Sequence, residues 1–443
     1  MKKFIVSIAC LGAWAAVFSA SAFAEKYITR DQPVADTFIK KYGKSFYVVS
    51  QIGDSKVPDV LERLDRKGRV ANALEWSREA RGQILEFFDS QVYGAIPPRP
   101  DSQKFELIES SDDALGGIAQ RRQYRITVSG AGGSLSFVAL VYLPKNGGAK
   151  SPAFVCPNFY GNFVVSPEDG IETENYAATL SEKKRAQLRA GKSTRIPVAD
   201  IVSRGYAIAT FCYMDVYPDR DGAEAADESV YKIFGRKFDS RPAIVAWAWG
   251  NMRVADLLET LPEIDMSKLA VAGHSRLGKT ALITGAHDLR FAYVCSNNAG
   301  CMGEALTRRN YGESAASMVD FNFPYWFSAN FKKHAHDVSS MPVDQHHLVS
   351  LIAPRMLYTT SSSEDFWADP EGQLLGLINA APAFALFGAK NFPTLDALEI
   401  DSPFHGDIAY HIKSGKHSIT PYDWKNFMDY AEKRGWKPVP PKK

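Results

Sequence analysis

Apolar spacing divides the chain into a helical beginning, a set of antiparallel strands, and a long alternation of buried strands with helices. Val57 to Leu64 and Ala71 to Val92 carry apolar residues at i, i+3, i+4, with Trp76, Ile84, Leu85, Phe87 and Phe88 on the longer run, the spacing of an amphipathic helix. Tyr93 to Pro98 stops it. From Lys104 the period shortens. Residues 105–108, Gln120 to Val128 and Leu135 to Leu143 read as strands, the last two joined as a hairpin through Gly130 to Gly133. Short apolar runs follow at Pro152 to Asn158, before Tyr213, at Leu269 to Ala272 and at Phe291 to Asn298, and they suit strands buried on both faces. Helical patterns separate them at Ala243 to Leu261, from Lys279 onward, at Gln373 to Phe387 and at Pro421 to Arg434. Leu348 to Thr359 is a helix-to-strand passage broken at Pro354.

Two long polar stretches, residues 162–199 and 215–241, interrupt the alternation as loops over one end of the sheet, the first with an amphipathic patch at Ala178 to Arg189. Asp401 to Ser418 passes through Gly406 and Gly415 toward the last helix. This order predicts an α/β fold, a mixed and mostly parallel sheet with helices on both faces. Residues 25–100 are expected to form a helical extension packed on a main domain of residues 101–443.

The first 24 residues have another character. Lys2 and Lys3 precede an apolar run from Phe4 to Phe18, and small residues Ala22 and Ala24 follow. That is the layout of a cleavable signal peptide, and it predicts a periplasmic or secreted protein. Without Lys2 and Lys3 the chain keeps 50 of its 52 basic residues against 50 acidic ones, a balance that argues against nucleic acid or a charged membrane as partner. No later segment is apolar enough to span a bilayer. Cys156, Cys212, Cys295 and Cys301 remain after cleavage, either as buried thiols or with some paired, Cys295 and Cys301 being nearest in sequence. No cysteine–histidine cluster suggests a metal.

Candidate chemistry enters at Gly273-His274-Ser275-Arg276-Leu277-Gly278. A buried strand precedes it and helix formers follow. Strand, glycine-flanked serine and helix form the layout of a nucleophile elbow, although the second glycine is one position later than in G-x-S-x-G. A capping serine at a strand–helix turn would look alike. If Ser275 is a nucleophile, an acid and then a histidine should follow it. Of nine histidines, position leaves His405, His411 and His417. His417, in a glycine-containing loop ahead of the last helix, fits best. The acid should lie in Ser361 to Pro370. Asp365 sits nearest the usual distance, Glu364 is a neighbour able to take the role, and Asp369 before Pro370 reads as a turn or capping residue. Asn158 to Gly161, at the exit of an earlier strand, stands where a second oxyanion-hole N–H is often donated.

Together, Gly273 to Ala281 with Ser275-Arg276 and Lys279, Glu364 to Pro370, and His411 to His417 ahead of Tyr422-Asp423-Trp424 resemble bacterial glucuronoyl esterases of carbohydrate esterase family 15. The shifted glycine belongs to that resemblance. It implies an α/β-hydrolase that cleaves esters of 4-O-methyl-glucuronic acid, as in lignin–glucuronoxylan linkages, with no metal and no organic cofactor. A monomer is expected. Ser275 matches the nucleophile, His417 the base, and Arg276 the arginine that stabilises the oxyanion. Lys279 and Glu313 match residues that bind sugar hydroxyls, and Trp367 one that packs on the sugar. One departure stands out. Where some members place the acid, after the strand that follows the elbow helix, this chain has Asn297 and Asn298. Asparagine carries no charge to hold an imidazolium, which turns the expectation to Asp365. An acetyl xylan esterase using the same triad and an inactive carbohydrate-binding relative are the competing readings.

Overall fold

The structure is a computed structural model that describes residues 57–235, 238 and 240–441. The proposed signal peptide lies outside those residues.

Ten strands form one sheet: β1 (Ser102–Asp113), β2 (Ala119–Gly130), β3 (Gly133–Pro144), β4 (Ser151–Val155), β5 (Ala207–Phe211), β6 (Ile264–His274), β7 (Phe291–Asn297), β8 (Met356–Ser362), β9 (Phe404–His405) and β10 (Ala409–Lys413). Their spatial order is β1-β2-β3-β5-β4-β6-β7-β8-β10-β9. The first three are antiparallel, as is β3 to β5; β5, β4, β6, β7, β8 and β10 run parallel. Five longer helices are used below: α1 (Glu182–Lys192), α2 (Ala243–Glu259), α3 (Arg276–His287), α4 (Pro370–Ala385) and α5 (Pro421–Lys433).

Alternation along each strand assigns side chains to one of two cores. Leu269 and Val271 of β6 point into one, with Leu257 of α2, Leu282 of α3 and Leu377 of α4; Ala270 and Ala272 point into the other, with Trp424 and Phe427 of α5. Both faces are therefore covered. This is why β6 reads as an unbroken apolar run rather than an alternating one. Each large apolar side chain fully buried this way contributes about 1.5–3 kcal/mol. The strand order and two covered faces are those of an α/β-hydrolase fold.

Residues 73–92 are helical, α-helical turns alternating with π-helical ones at Trp76–Ala80 and Phe88–Val92. The run packs into the first core through Trp76, Ile84 and Phe88, and the Arg81 guanidinium donates to the carbonyls of Ala286 and Leu351. The helix expected at Val57 to Leu64 is absent. Asp59 instead closes a turn onto the Leu61 N–H, Arg66 (φ 61°) and Gly68 (φ 103°) reverse the chain, and Val70 N–H returns to Leu61 O. Val60, Leu61 and Val70 are buried all the same. Their spacing serves a folded-back loop that happens to match a helical period. The four described cysteines are buried free thiols, Cys295 and Cys301 included.

Candidate active site

The elbow is built by close approach. β6 ends at His274, and Ser275 turns the chain with φ 59° and ψ −126° before α3 begins. A non-glycine residue in that left-handed region is strained, and such strain concentrates at functional turns. Ser275 N–H is fixed to Asn297 O at 2.8 Å, and Ser275 O accepts from Gly278 N–H at 2.8 Å. A Cβ on Gly273 would lie 1.9 Å from Leu277 O, and one on Gly278 would crowd Ser296 and Ala299 at the end of β7. The late glycine thus marks where α3 crosses β7. Arg276, first residue of α3, has a backbone N–H with no intrahelical carbonyl to meet.

The loop after β8 and the loop after β10 meet beside the elbow. His417 Nδ1 donates to Asp365 Oδ2 at 2.6 Å, and Asp365 also accepts from Asn298 Nδ2 at 3.1 Å. The Asp365 side chain is 3% exposed and that of His417 38%. The carboxylate is sealed and the imidazole reaches solvent. The His417 ring lies 4.5 Å from that of His274, the residue directly before Ser275. Burial holds His274 well below the usual histidine range, and its Nδ1 donates to Asn297 Oδ1 at 2.6 Å. Asp369 has a different task. It caps α4 by accepting from Gly372 N–H and pairs with Arg309. Glu364 is exposed.

Two cations line the same region. The Arg276 guanidinium pairs with Asp219 and lies over the faces of Phe323 (5.2 Å) and Trp326 (4.9 Å), rings that stack on each other. Burial works against its charge, but Tyr213 and Asp219 outweigh burial and hold it above its ordinary range. Lys279 Nζ donates to Ala299 O at 2.6 Å, stands 3.7 Å from Glu313 and 5.7 Å from the Trp326 ring. Burial raises the Glu313 carboxyl, while Lys279 and Arg276 pull it back. Glu313 is tied to the loop of Trp367 by its N–H on Trp367 O at 2.9 Å. Ser275, Arg276, Lys279, Glu313, Asp365, Trp367 and His417 therefore come together around one edge of the sheet.

The second oxyanion donor is less simple than the sequence suggests. Gly161 N–H is spent on Asn158 Oδ1 at 2.7 Å, and Asn158 Nδ2 donates to Asn162 and Thr210. Phe159 faces the site, its ring 6.0 Å from His274. Two residues, Asp219 and Phe323, carried no signal in the sequence: Asp219 lay in a stretch read only as a polar loop, and Phe323 belonged to no motif. Trp326 opens a stretch, Trp326 to Phe331, that shares the glucuronoyl-esterase resemblance, but its place against the Arg276 guanidinium shows only in the fold.

The chain as a whole is similar to known proteins. Residues 179–388 match the family described as "Glucuronyl esterase, fungi". The chain is 31% identical to Carbohydrate esterase MZ0003, from an unknown prokaryotic organism, over 90% of its own length and 94% of that protein's. It is 27% identical to the 4-O-methyl-glucuronoyl methylesterase of Podospora anserina over 68% of its length, and it spans 54% of that longer protein. The solved structure of a glucuronoyl esterase from Solibacter usitatus superimposes with a TM-score of 0.79 at 32% identity, covering 87% of this chain and all of that one. With an elbow, an acid–histidine pair and near full-length likeness in agreement, this chain belongs to the glucuronoyl esterases of carbohydrate esterase family 15.

Proposed function

We propose that the protein hydrolyses esters of (4-O-methyl-)glucuronic acid, as found between lignin and glucuronoxylan, through an acyl-enzyme on Ser275. The observation that carries this reading is the His417–Asp365 pair standing beside the strained Ser275 turn. His417 Nδ1–H is fixed on Asp365, which leaves Nε2 to take the Ser275 proton as Oγ attacks the ester carbonyl. The negative charge of the tetrahedral intermediate develops beside the Arg276 N–H and guanidinium, where a preorganised donor is worth several kcal/mol. The proton on His417 then passes to the departing alcohol. Water, deprotonated by the same nitrogen, releases the uronic acid and restores Ser275. Lys279, Glu313 and Trp367 hold the sugar.

The signal-peptide pattern of residues 1–24 supports a periplasmic or secreted protein; among the described residues no helix is long and apolar enough to cross a membrane. We also read residues 25–100 as an extension on a catalytic domain of residues 101–443, acting as a monomer. Wild type and Ser275→Ala on methyl glucuronate and on an acetylated xylo-oligosaccharide test the reaction. Ser275-dependent release of methanol from the first is expected. Turnover of the acetyl ester alone would replace this reading with an acetyl esterase, and turnover of neither with an inactive binding protein.

A further inference from the structure

Each of the two cations beside the elbow has a carboxylate partner. Arg276 is paired with Asp219 and Lys279 with Glu313, so two cations meet two carboxylates. Asp219 is the more deeply built of the two. Its side chain is 5% exposed while that of Arg276 is 26% exposed. Besides Arg276 it accepts from the Tyr325 hydroxyl at 2.7 Å, the Trp326 indole N–H at 3.1 Å and the Tyr213 hydroxyl at 2.5 Å. Four donors from three separate segments converge on one carboxylate. Nothing of this kind is needed merely to hold an arginine, which the Phe323 and Trp326 rings already flank.

The proposed reaction turns a neutral ester into a carboxylate at the spot beside Arg276. An unpaired, half-buried guanidinium there would bind the product anion more tightly than the substrate, because planar guanidinium matches carboxylate in a two-pronged fashion. A sealed counter-charge removes that preference before the substrate arrives. The guanidinium's exposed edge still meets the oxyanion of the tetrahedral intermediate, a full charge concentrated on one oxygen, and the Arg276 backbone N–H shares that load.

We propose that Asp219, acting through Arg276, sets the pocket's preference for the neutral uronate ester over the uronate product. It is a positioning residue and touches no reacting atom. This inference rests on the glucuronate-ester reading above.

The test uses full-length protein and three variants. In Asp219→Asn, free glucuronate should inhibit methyl glucuronate hydrolysis at least about tenfold more strongly than in wild type, since the carboxylate that competed for Arg276 is gone. KM for the neutral ester should move less than about threefold. Asp219→Glu should restore wild-type product inhibition. A variant that merely loosens the fold would weaken ester and acid alike. Should Asp219→Asn fail to fold, calorimetry on Ser275→Ala compares the two ligands directly, and glucuronate should bind no more tightly than its methyl ester. Unchanged inhibition by glucuronate in a folded Asp219→Asn, or tighter binding of the acid than of the ester to Ser275→Ala, would overturn the proposal while leaving the esterase reading intact. Absence of Ser275-dependent turnover on methyl glucuronate would remove that reading and this inference with it.

Discussion

Two histidine–aspartate pairs sit six residues apart along the same strand and loop, and they could hardly be used more differently. His417 pairs with Asp365 at 2.6 Å, its ring partly in solvent and only one nitrogen engaged by that carboxylate. His411 pairs with Asp423 at 3.0 Å with both side chains fully buried. Both nitrogens of His411 are taken: Nε2–H donates to Asp423 and Nδ1 accepts from the Tyr358 hydroxyl at 2.9 Å, which in turn accepts from His405 Nε2 at 3.1 Å. Asp423 further accepts from Lys413, Asn297 and Thr420. A carboxylate beside an imidazole is therefore no mark of a catalytic base. An unspent nitrogen with access to substrate is.

The largest effect expected from this contrast is on the reaction itself. His417→Ala should lower kcat for methyl glucuronate by about 10³–10⁶-fold with the fold intact, the scale seen when a triad base is removed. His411→Gln should leave kcat within about threefold and cost about 1–3 kcal/mol of stability, because Asp423 and the Tyr358 hydroxyl each lose a buried partner. Steady-state kinetics paired with chemical unfolding separate the two. A reversal, with His411 carrying the rate, would dismantle the proposed triad.

The acids should divide likewise, by a smaller margin. Asp365→Asn keeps shape but removes the acceptor that fixes the His417 tautomer, for a loss of about 10²–10⁴-fold in kcat. Asp423→Asn leaves Lys413 Nζ, 5% exposed at the side chain, without its counter-charge, which should cost about 3–5 kcal/mol. Its kcat, measured well below the melting temperature, should fall far less than that of Asp365→Asn. Equal rate losses would mean that Asp423 shapes the reacting geometry, a route open through Lys413 Nζ on Ser418 O, next to His417.

How far the sequence reveals this contrast differs from one element to the next. Apolar runs such as Leu269 to Ala272 announce doubly covered strands by being short and bounded by a turn, where the equally buried run Ala243 to Trp249 continues into a full helix. The elbow is legible because strand, glycine-flanked serine and helix follow one another directly in the chain. β10 is not legible. Its Ala409-Tyr410-His411-Ile412-Lys413 places a histidine and a lysine in a fully buried strand, and Asp423, arriving from α5 to meet both, with Tyr358 and Ser418 O taking the rest, makes that tolerable. Asp219 is hidden for the same reason, its partner Arg276 lying 57 residues further on. Polar groups whose meaning depends on a distant partner leave no local period to read. Val57 to Leu64 is the reverse case, a period without a helix.

The smallest expected effect concerns acid stability, and here the buried cluster has a mirror image. Burial lowers His405 to about 4 from the ordinary 6.5 and lowers His411 as well. Between pH 6.5 and 4 the unfolded chain therefore binds protons that folded His405 refuses, so its contribution to stability is full above 6.5 and is lost on acidification. Glu304, buried behind the elbow with Ser296 donating to it, is pushed up to about 7 from 4.5. Its folded carboxyl keeps a proton that the unfolded chain gives up, so its contribution is full below 4.5 and is lost as pH rises through 7. The two oppose each other across one window. His405→Gln should make the fall in melting temperature from pH 7 to 4.5 shallower than in wild type, and Glu304→Gln should make it steeper. Followed by circular dichroism at fixed ionic strength, slopes that shift in the same direction would mean that at least one of these groups does not titrate where its burial puts it.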